Sequence, residues 1–381
     1  MLCLFKKNEE KKVEYIELIY DLIFVYIIGR NNSIIHTLEN GFIAPSAFLT
    51  YILSTLVILQ VWYATVMFIN KYGNNGVQEN VAIFINMYLL YYMAEGTRAD
   101  WRDFYYCYNI AWALILLNLL IQYYIKLRKC DNGAFWVTAH IKRNIMILAV
   151  QIAIIAASVP VFYFTGIPLA PVAMAVGIIF LLFSNKANNF VEGDFAHLTE
   201  RIMLYVVFTF GEMIIGIASY FEGGLNFNTV YFSLMAFLIV AGLFISYGFV
   251  YDNVTDRERS ESGTGYMLLH VFLITALNNI TAALEFMRMS EVKAIPKNAF
   301  IVISIIIYFI FLFLLEKYAI IRCQAHLKFY LVIGAMSLVF CALMAALYKN
   351  SYISIALTVI YIYSVFAYLY FSVKRNQKEK A

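Results

Sequence analysis

Apolar runs of about 18 to 25 residues follow one another along nearly the whole chain, parted by short polar breaks. A helix rises about 1.5 Å per residue, so each run can cross a hydrocarbon core of about 30 Å. The pattern predicts about twelve membrane-spanning helices, at 14–31, 46–70, 80–97, 104–126, 144–165, 168–185, 197–221, 228–251, 264–287, 299–318, 327–348 and 352–373. Only Thr165, Gly166 and Ile167 separate the fifth run from the sixth, and Pro160, Pro168 and Pro171 around them predict a tight, broken hairpin. The longest polar stretches, about 127–143 and 252–263, are too short for a soluble domain. The expected fold is an all-α polytopic helical bundle forming a single transmembrane domain over 1–381.

Composition strengthens this reading: 63% of residues are hydrophobic, 14% are charged, and the mean hydropathy is +0.75. An ordinary soluble domain carries far less apolar and far more charged sequence. The net charge of +4 is explained by topology, because Lys and Arg concentrate in cytoplasmic loops. Placing the N-terminus inside puts most of the 28 Lys and Arg residues on the cytoplasmic side and leaves Arg30, Arg98, Arg102, Arg288, Lys293, Lys297 and Lys349 outside. Both termini are then cytoplasmic. The basic clusters at 126–129 and 374–380 read as helix flanks at anionic headgroups, and no separate basic region for nucleic acid remains.

An even number of spans with both ends inside permits two parallel six-helix halves, 1–190 and 191–381, as in many transporters. The first apolar segment is preceded by acids and lacks a small-residue cleavage site, so it is expected to stay and start insertion itself. Cys3, Cys107, Cys130, Cys323 and Cys341 form no CxxC pair, which argues against a disulfide framework or a zinc site. Tyrosine pairs at 91–92, 105–106 and 123–124 fall near helix ends, where aromatic belts sit at headgroup level.

Against this background the ionisable residues inside the runs stand out. A charge at bilayer depth costs a few kcal/mol and normally faces a partner or a watery cavity. In the first helix Glu17, Tyr20, Asp21, Phe24 and Ile28 share one stripe, so both carboxyls and the phenol project into one interhelical space. A second reading of Glu17 is an acid hydrated at the helix end. The seventh run opens His197-Leu198-Thr199-Glu200-Arg201 and continues to Gly211-Glu212. Glu200 and Arg201 point about 100° apart on a helix, so each needs a partner elsewhere. Arg201 is the expected counter-ion of Asp21 or Glu17. Glu212 lies eleven residues further on, within about 20° of the same face, and Gly211 and Gly216 leave room for a neighbouring helix. His197 and Thr199 can also be read as helix caps. The ninth run adds His270, Asn278, Asn279 and Glu285. Side-chain hydrogen bonds between helices account for the first three, and an interfacial ion pair with Arg288 is one reading of Glu285. Glu95 ends the third run.

No P-loop, GxSxG, HExxH or dinucleotide fingerprint occurs in a fitting context, and no acids or histidines show metal-ligand spacing. An enzyme, a metal and a cofactor are not expected.

The two charged constellations resemble the low temperature requirement A family of bacterial membrane proteins. The family's first helix reads Glu-Leu-Phe-Tyr/Phe-Asp-Leu-Val-Phe-Val, matched by Glu17, Leu18, Tyr20, Asp21, Leu22, Phe24 and Val25. Its central His-Leu-x-Glu-Arg run with a following Leu-Gly-Glu is matched by His197, Leu198, Glu200, Arg201, Gly211 and Glu212, with Phe210 replacing Leu. Leu284-Glu285 is a weaker third match. The resemblance implies a bacterial inner-membrane protein tied to growth in the cold, and lends no substrate.

The function expected from the residues is a secondary transporter coupled to protons or another cation. Glu17, Tyr20, Asp21, His197, Glu200, Arg201, Glu212, Asn278 and Glu285 are its candidate solute- or ion-binding residues. A carboxyl drawn out of water loses more by ionising than one in water, which is the basis for coupling to protons. A cation channel and a non-transporting, lipid-interacting protein are the alternatives. A looser likeness of Tyr20-Asp21-Leu22-Ile23-Phe24 to a helix of the lysosomal potassium and proton channel family prompts the first. The expected partners are membrane lipids and a small solute or cation, and the sequence leaves a homo-oligomer open.

Overall fold

In the computed structural model, residues 12–74, 76–96, 101–129, 135–183, 193–222, 224–323 and 325–379 are described. They form twelve α-helices: α1 (Tyr15–Asn32), α2 (Pro45–Tyr72), α3 (Val77–Glu95), α4 (Trp101–Lys129), α5 (Phe135–Thr165), α6 (Ala170–Phe183), α7 (Phe195–Gly216), α8 (Phe227–Asn253), α9 (Thr264–Arg288), α10 (Ala294–Leu314), α11 (Leu327–Ala346) and α12 (Ser351–Glu379). Ten of the helical stretches are long and apolar enough to cross a membrane. The others are α6, with 14 residues, and α3, where Gln78, Glu79 and Asn80 lower the hydropathy of the first turn. The architecture is a polytopic helical membrane bundle, with a helix at each span that the apolar pattern predicts.

The boundaries depart from the pattern at α5. It begins at Phe135 rather than 144, so part of the stretch read as a polar loop is helix. Val137, His140 and Ile141 supply its buried face while Lys142 and Arg143 lie off it. Residues 130–134, and the end of the sixth predicted span at 184–185, lie outside the described residues. The hairpin between α5 and α6 is as tight as expected: Gly166 has φ +73°, and its N–H donates to the Phe162 carbonyl at 2.8 Å. The sequence pattern gave no sign of the short antiparallel strands β1 (Leu38–Glu39) and β2 (Phe42–Ile43). They turn at Asn40 and Gly41, with φ of +53° and +81°, the left-handed geometry that a two-residue hairpin requires.

The chain packs as two compact units. One comprises Met1–Thr37, Ala44–Tyr205 and Glu258–Met267. Within it α1 packs on α2 and α3, and α4 on α3 and α5. Side-chain amides tie these helices together: Asn31 Nδ2 donates to Thr55 Oγ1 at 2.6 Å, and Asn118 Nδ2 donates to Asn86 Oδ1 at 2.7 Å. Such bonds contribute about 1 kcal/mol each inside a membrane. Tyr105 and Tyr123, expected in an aromatic belt, are buried instead. Tyr105 pairs with Ser158, while their neighbours Tyr106 and Tyr124 are the exposed members of each pair. Adjacent residues on a helix point about 100° apart, so one of each of these two pairs can turn inward, whereas Tyr91 and Tyr92 are both exposed as expected.

The other unit comprises Leu38–Ile43, Val206–Arg257 and Leu268–Ala381. Here α12 packs along α8, where a Cβ at Gly242 would come within 2.7 Å of Ile362. Tyr308 of α10 donates to the Leu243 carbonyl at 2.8 Å. Among the described residues Cys107, Cys323 and Cys341 are free thiols.

Candidate functional site: a buried ionic cluster

Helix α1 buries Glu17, Tyr20, Asp21, Phe24 and Ile28, the stripe that the helical repeat sets out. The stripe faces α2 and the first two turns of α7. Glu17 is 1% exposed, and Asp21 and Arg201 are fully buried, so the reading of Glu17 as a hydrated helix-end acid does not hold. Asp21 is held on three sides. Arg201 Nε donates to Oδ2 and Nη2 to Oδ1, each at 3.0 Å, and Trp62 Nε1 donates to Oδ1 at 2.8 Å. The paired Arg contacts form a fork, a geometry that a guanidinium supplies and an ammonium does not.

The remaining arm of Arg201 reaches Glu17 Oε1 at 3.3 Å. Glu17 Oε2 accepts from the backbone N–H of Glu14 at 3.2 Å and faces His197 Nε2 at 3.1 Å. Tyr20 donates to Thr65 Oγ1 at 3.1 Å. Trp62 stacks on Tyr205 with ring centroids 4.3 Å apart, which fixes the indole against Asp21.

His197 sits in the first turn of α7, and the sequence left it a capping role. The cap is Asp194, whose Oδ1 accepts from the His197 backbone N–H at 3.0 Å. Freed from that task, the imidazole spans two acceptors: Nδ1 meets Asn70 Oδ1 at 3.1 Å, and Nε2 meets Glu17. With Asn70 Oδ1 as the acceptor, the first contact takes a hydrogen bond from a protonated Nδ1. The second contact needs another proton, on Nε2 or on Glu17. Two protons are therefore shared by His197 and Glu17, and the four charged groups sum to zero. Removing one proton leaves a net negative charge among side chains that are 0–1% exposed.

The other expected site residues lie elsewhere. Glu200 is exposed and takes no part in the cluster. Glu212 and Glu285, in the second unit, are each half-buried and close enough to repel one another. Gly216 lets α9 approach: a Cβ there would lie 2.8 Å from Thr281 and 3.6 Å from Glu285 Oε1. Gly211 has open space instead. Arg288 stands over the Tyr220 ring, 4.9 Å from its centroid. Asn278 is buried, with Nδ2 lacking a partner, and His270 meets Tyr247 Oη at 3.2 Å. Three participants escaped the sequence reading: Trp62, Thr65 and Asn70. The available signal was the set of polar side chains Gln60, Thr65, Asn70 and Lys71 inside the apolar second half of α2.

Among the described residues no group of three His, Cys, Asp or Glu could hold a metal ion. Fold and site together define a polytopic helical membrane protein with a charge-balanced cluster sealed between its first, second and seventh helices. The chain belongs to the bacterial low temperature requirement A (LtrA) protein family, whose sequence model matches residues 12–366. No curated protein and no solved structure matches the chain.

Proposed function

We propose that the protein is a secondary transporter of the bacterial inner membrane, with both termini cytoplasmic, and that its coupling ion is the proton shared by His197 and Glu17. The observation that carries the reading is the imidazole placed between two acceptors. It binds one more proton than a neutral histidine beside a carboxylate would hold, and burial makes the loss of that proton a change in net charge that the surroundings must answer. Such a change is what drives a carrier between two states. A metal cation is a poorer fit, because Arg201 already occupies the space between the two acids and would repel it. The same guanidinium argues against an open cation pore along this stripe. The charged groups around His197 are Glu17 of α1, Lys71 beside Asn70 on α2, Asp194 capping α7, and Arg201 of α7 itself.

The test uses inverted membrane vesicles carrying the protein, an imposed pH gradient, a pH-sensitive dye and a panel of organic anions, amino acids and alkali cations. At least one solute is expected to collapse the gradient. Glu17→Gln, which cannot hold the charge, and Asn70→Leu, which no longer demands a proton on Nδ1, are expected to slow the collapse at least tenfold. A gradient untouched by every solute, or unchanged kinetics in Glu17→Gln, overturns the proposal and leaves the cluster a structural strut.

A further inference from the structure

Helix α2 carries two polar stripes. One, with Trp62, Thr65 and Asn70, serves the ionic cluster. The other, Gln60, Tyr63, Ala64, Met67 and Lys71, recurs at helical spacing on a different face and lines a narrow cavity with an open mouth. The facing wall is the α5 stripe from His140 to Gln151, with α4 and α6 closing the sides.

The slot is long and its ends differ. Gln60 and Lys71 are eleven residues apart, as are His140 and Gln151, so each wall runs roughly 16 Å. The helices run oppositely. Tyr72, next to Lys71, bonds His140 Nδ1 at 2.6 Å. At the far end Gln60 Nε2 donates to the Met174 carbonyl at 3.4 Å and Gln151 Nε2 to the Ala173 carbonyl at 3.0 Å. Both amides lie over Gly177, where a Cβ would collide with each. One end is therefore basic, lined by Lys71 and His140, and behind its wall the Arg143 guanidinium stands over the Phe180 ring at 5.0 Å. The other end is neutral amide. Between them stand Met67, Leu116, Leu119, Ile147 and Leu148, and among the described residues no Asp or Glu lines the cavity.

At the neutral end Gln60 is 8% exposed, and its Oε1 has no hydrogen-bond partner among the described residues. A buried acceptor without a donor costs about 1–3 kcal/mol, which a hydroxyl or amide N–H entering the cavity would offset. We propose that this cavity is a binding site for a linear, medium-length organic carboxylate bearing a hydrogen-bond donor at its far end. The carboxylate lies at Lys71, the methylenes along the leucines, and the donor at Gln60 Oε1. The proposal does not depend on proton coupling, since it concerns equilibrium binding.

Binding to the purified full chain in detergent, by calorimetry, separates the two. The probes are 8-hydroxyoctanoate, octanoate and 1,8-octanediol, matched in length and differing at one end each. For the unaltered protein, 8-hydroxyoctanoate is expected to bind at least tenfold more tightly than the diol and severalfold more tightly than octanoate. Lys71→Gln removes the first preference and Gln60→Leu the second, while Lys71→Arg keeps both. Equal affinity for hydroxy acid and diol, or no binding of any probe, overturns the proposal without needing a variant. Tight binding alongside vesicles that move no protons would sustain this site and end the transport reading.

Discussion

Arg201 grips Asp21 with two hydrogen bonds of 3.0 Å across 180 residues of sequence. Both side chains are fully buried, so the pair is held in place by α1 and α7 together. Removing one partner from such a pair strands the other charge in a medium that cannot solvate it, at a cost of about 3–5 kcal/mol. Arg201→Met is accordingly expected to lower stability by that amount, read as the unfolding midpoint in detergent. Adding Asp21→Asn and Glu17→Gln removes the stranded charges and should recover at least half of the loss. A triple variant no more stable than Arg201→Met would show that the cluster acts through packing instead.

Trp62 contributes one donor to Asp21 and one ring face to Tyr205. Trp62→Phe keeps a ring for the stack and removes the N–H, so the expected loss is about 1–3 kcal/mol. In an Asp21→Asn background the same change should cost less, because the acceptor is no longer charged. Equal costs in both backgrounds would mean that the indole N–H adds nothing specific to Asp21.

Gly263 has φ +68°, and a Cβ there would collide with Leu198 of α7. Alanine at this position meets both backbone strain and overlap, so Gly263→Ala is expected to destabilise by more than about 1 kcal/mol. Since Leu198 follows His197, the variant should also weaken proton coupling. A thermal midpoint equal to that of the unaltered chain would refute the close approach.

Glu200 is next to Arg201 in sequence and exposed in the structure. Glu200→Ala should alter stability by no more than about 0.5 kcal/mol and leave any proton flux intact. A tenfold loss of flux would return Glu200 to the site and put the present geometry of α7 in question.

Much of this was legible from residue order. The stripe Glu17, Tyr20, Asp21, Phe24, Ile28 follows from 3.6 residues per turn, and Arg201 as counter-ion follows from the cost of leaving a buried charge alone. Glu200 was placed in the site because it sits beside Arg201 in a run of ionisable residues, yet a 100° turn is enough to put it outside. Neither Trp62 nor Asn70 carries a charge that would mark it as out of place in a membrane helix, so only their partners reveal their part in the cluster. Phe135 began a helix in what read as loop because Lys142 and Arg143 masked the apolar face of α5.

The sequence by itself determined that the chain is a membrane bundle, roughly where each helix crosses, and which few side chains could not be there for packing alone. These are local properties, set by apolar length and helical period over a turn or a span. Only the tertiary structure decided that His197 lies between Asn70 and Glu17, that Glu212 keeps company with Glu285, and that α2 presents a second polar stripe to a cavity. Partners of that kind depend on how helices distant in sequence rotate and pack, and no single stretch of chain encodes that rotation.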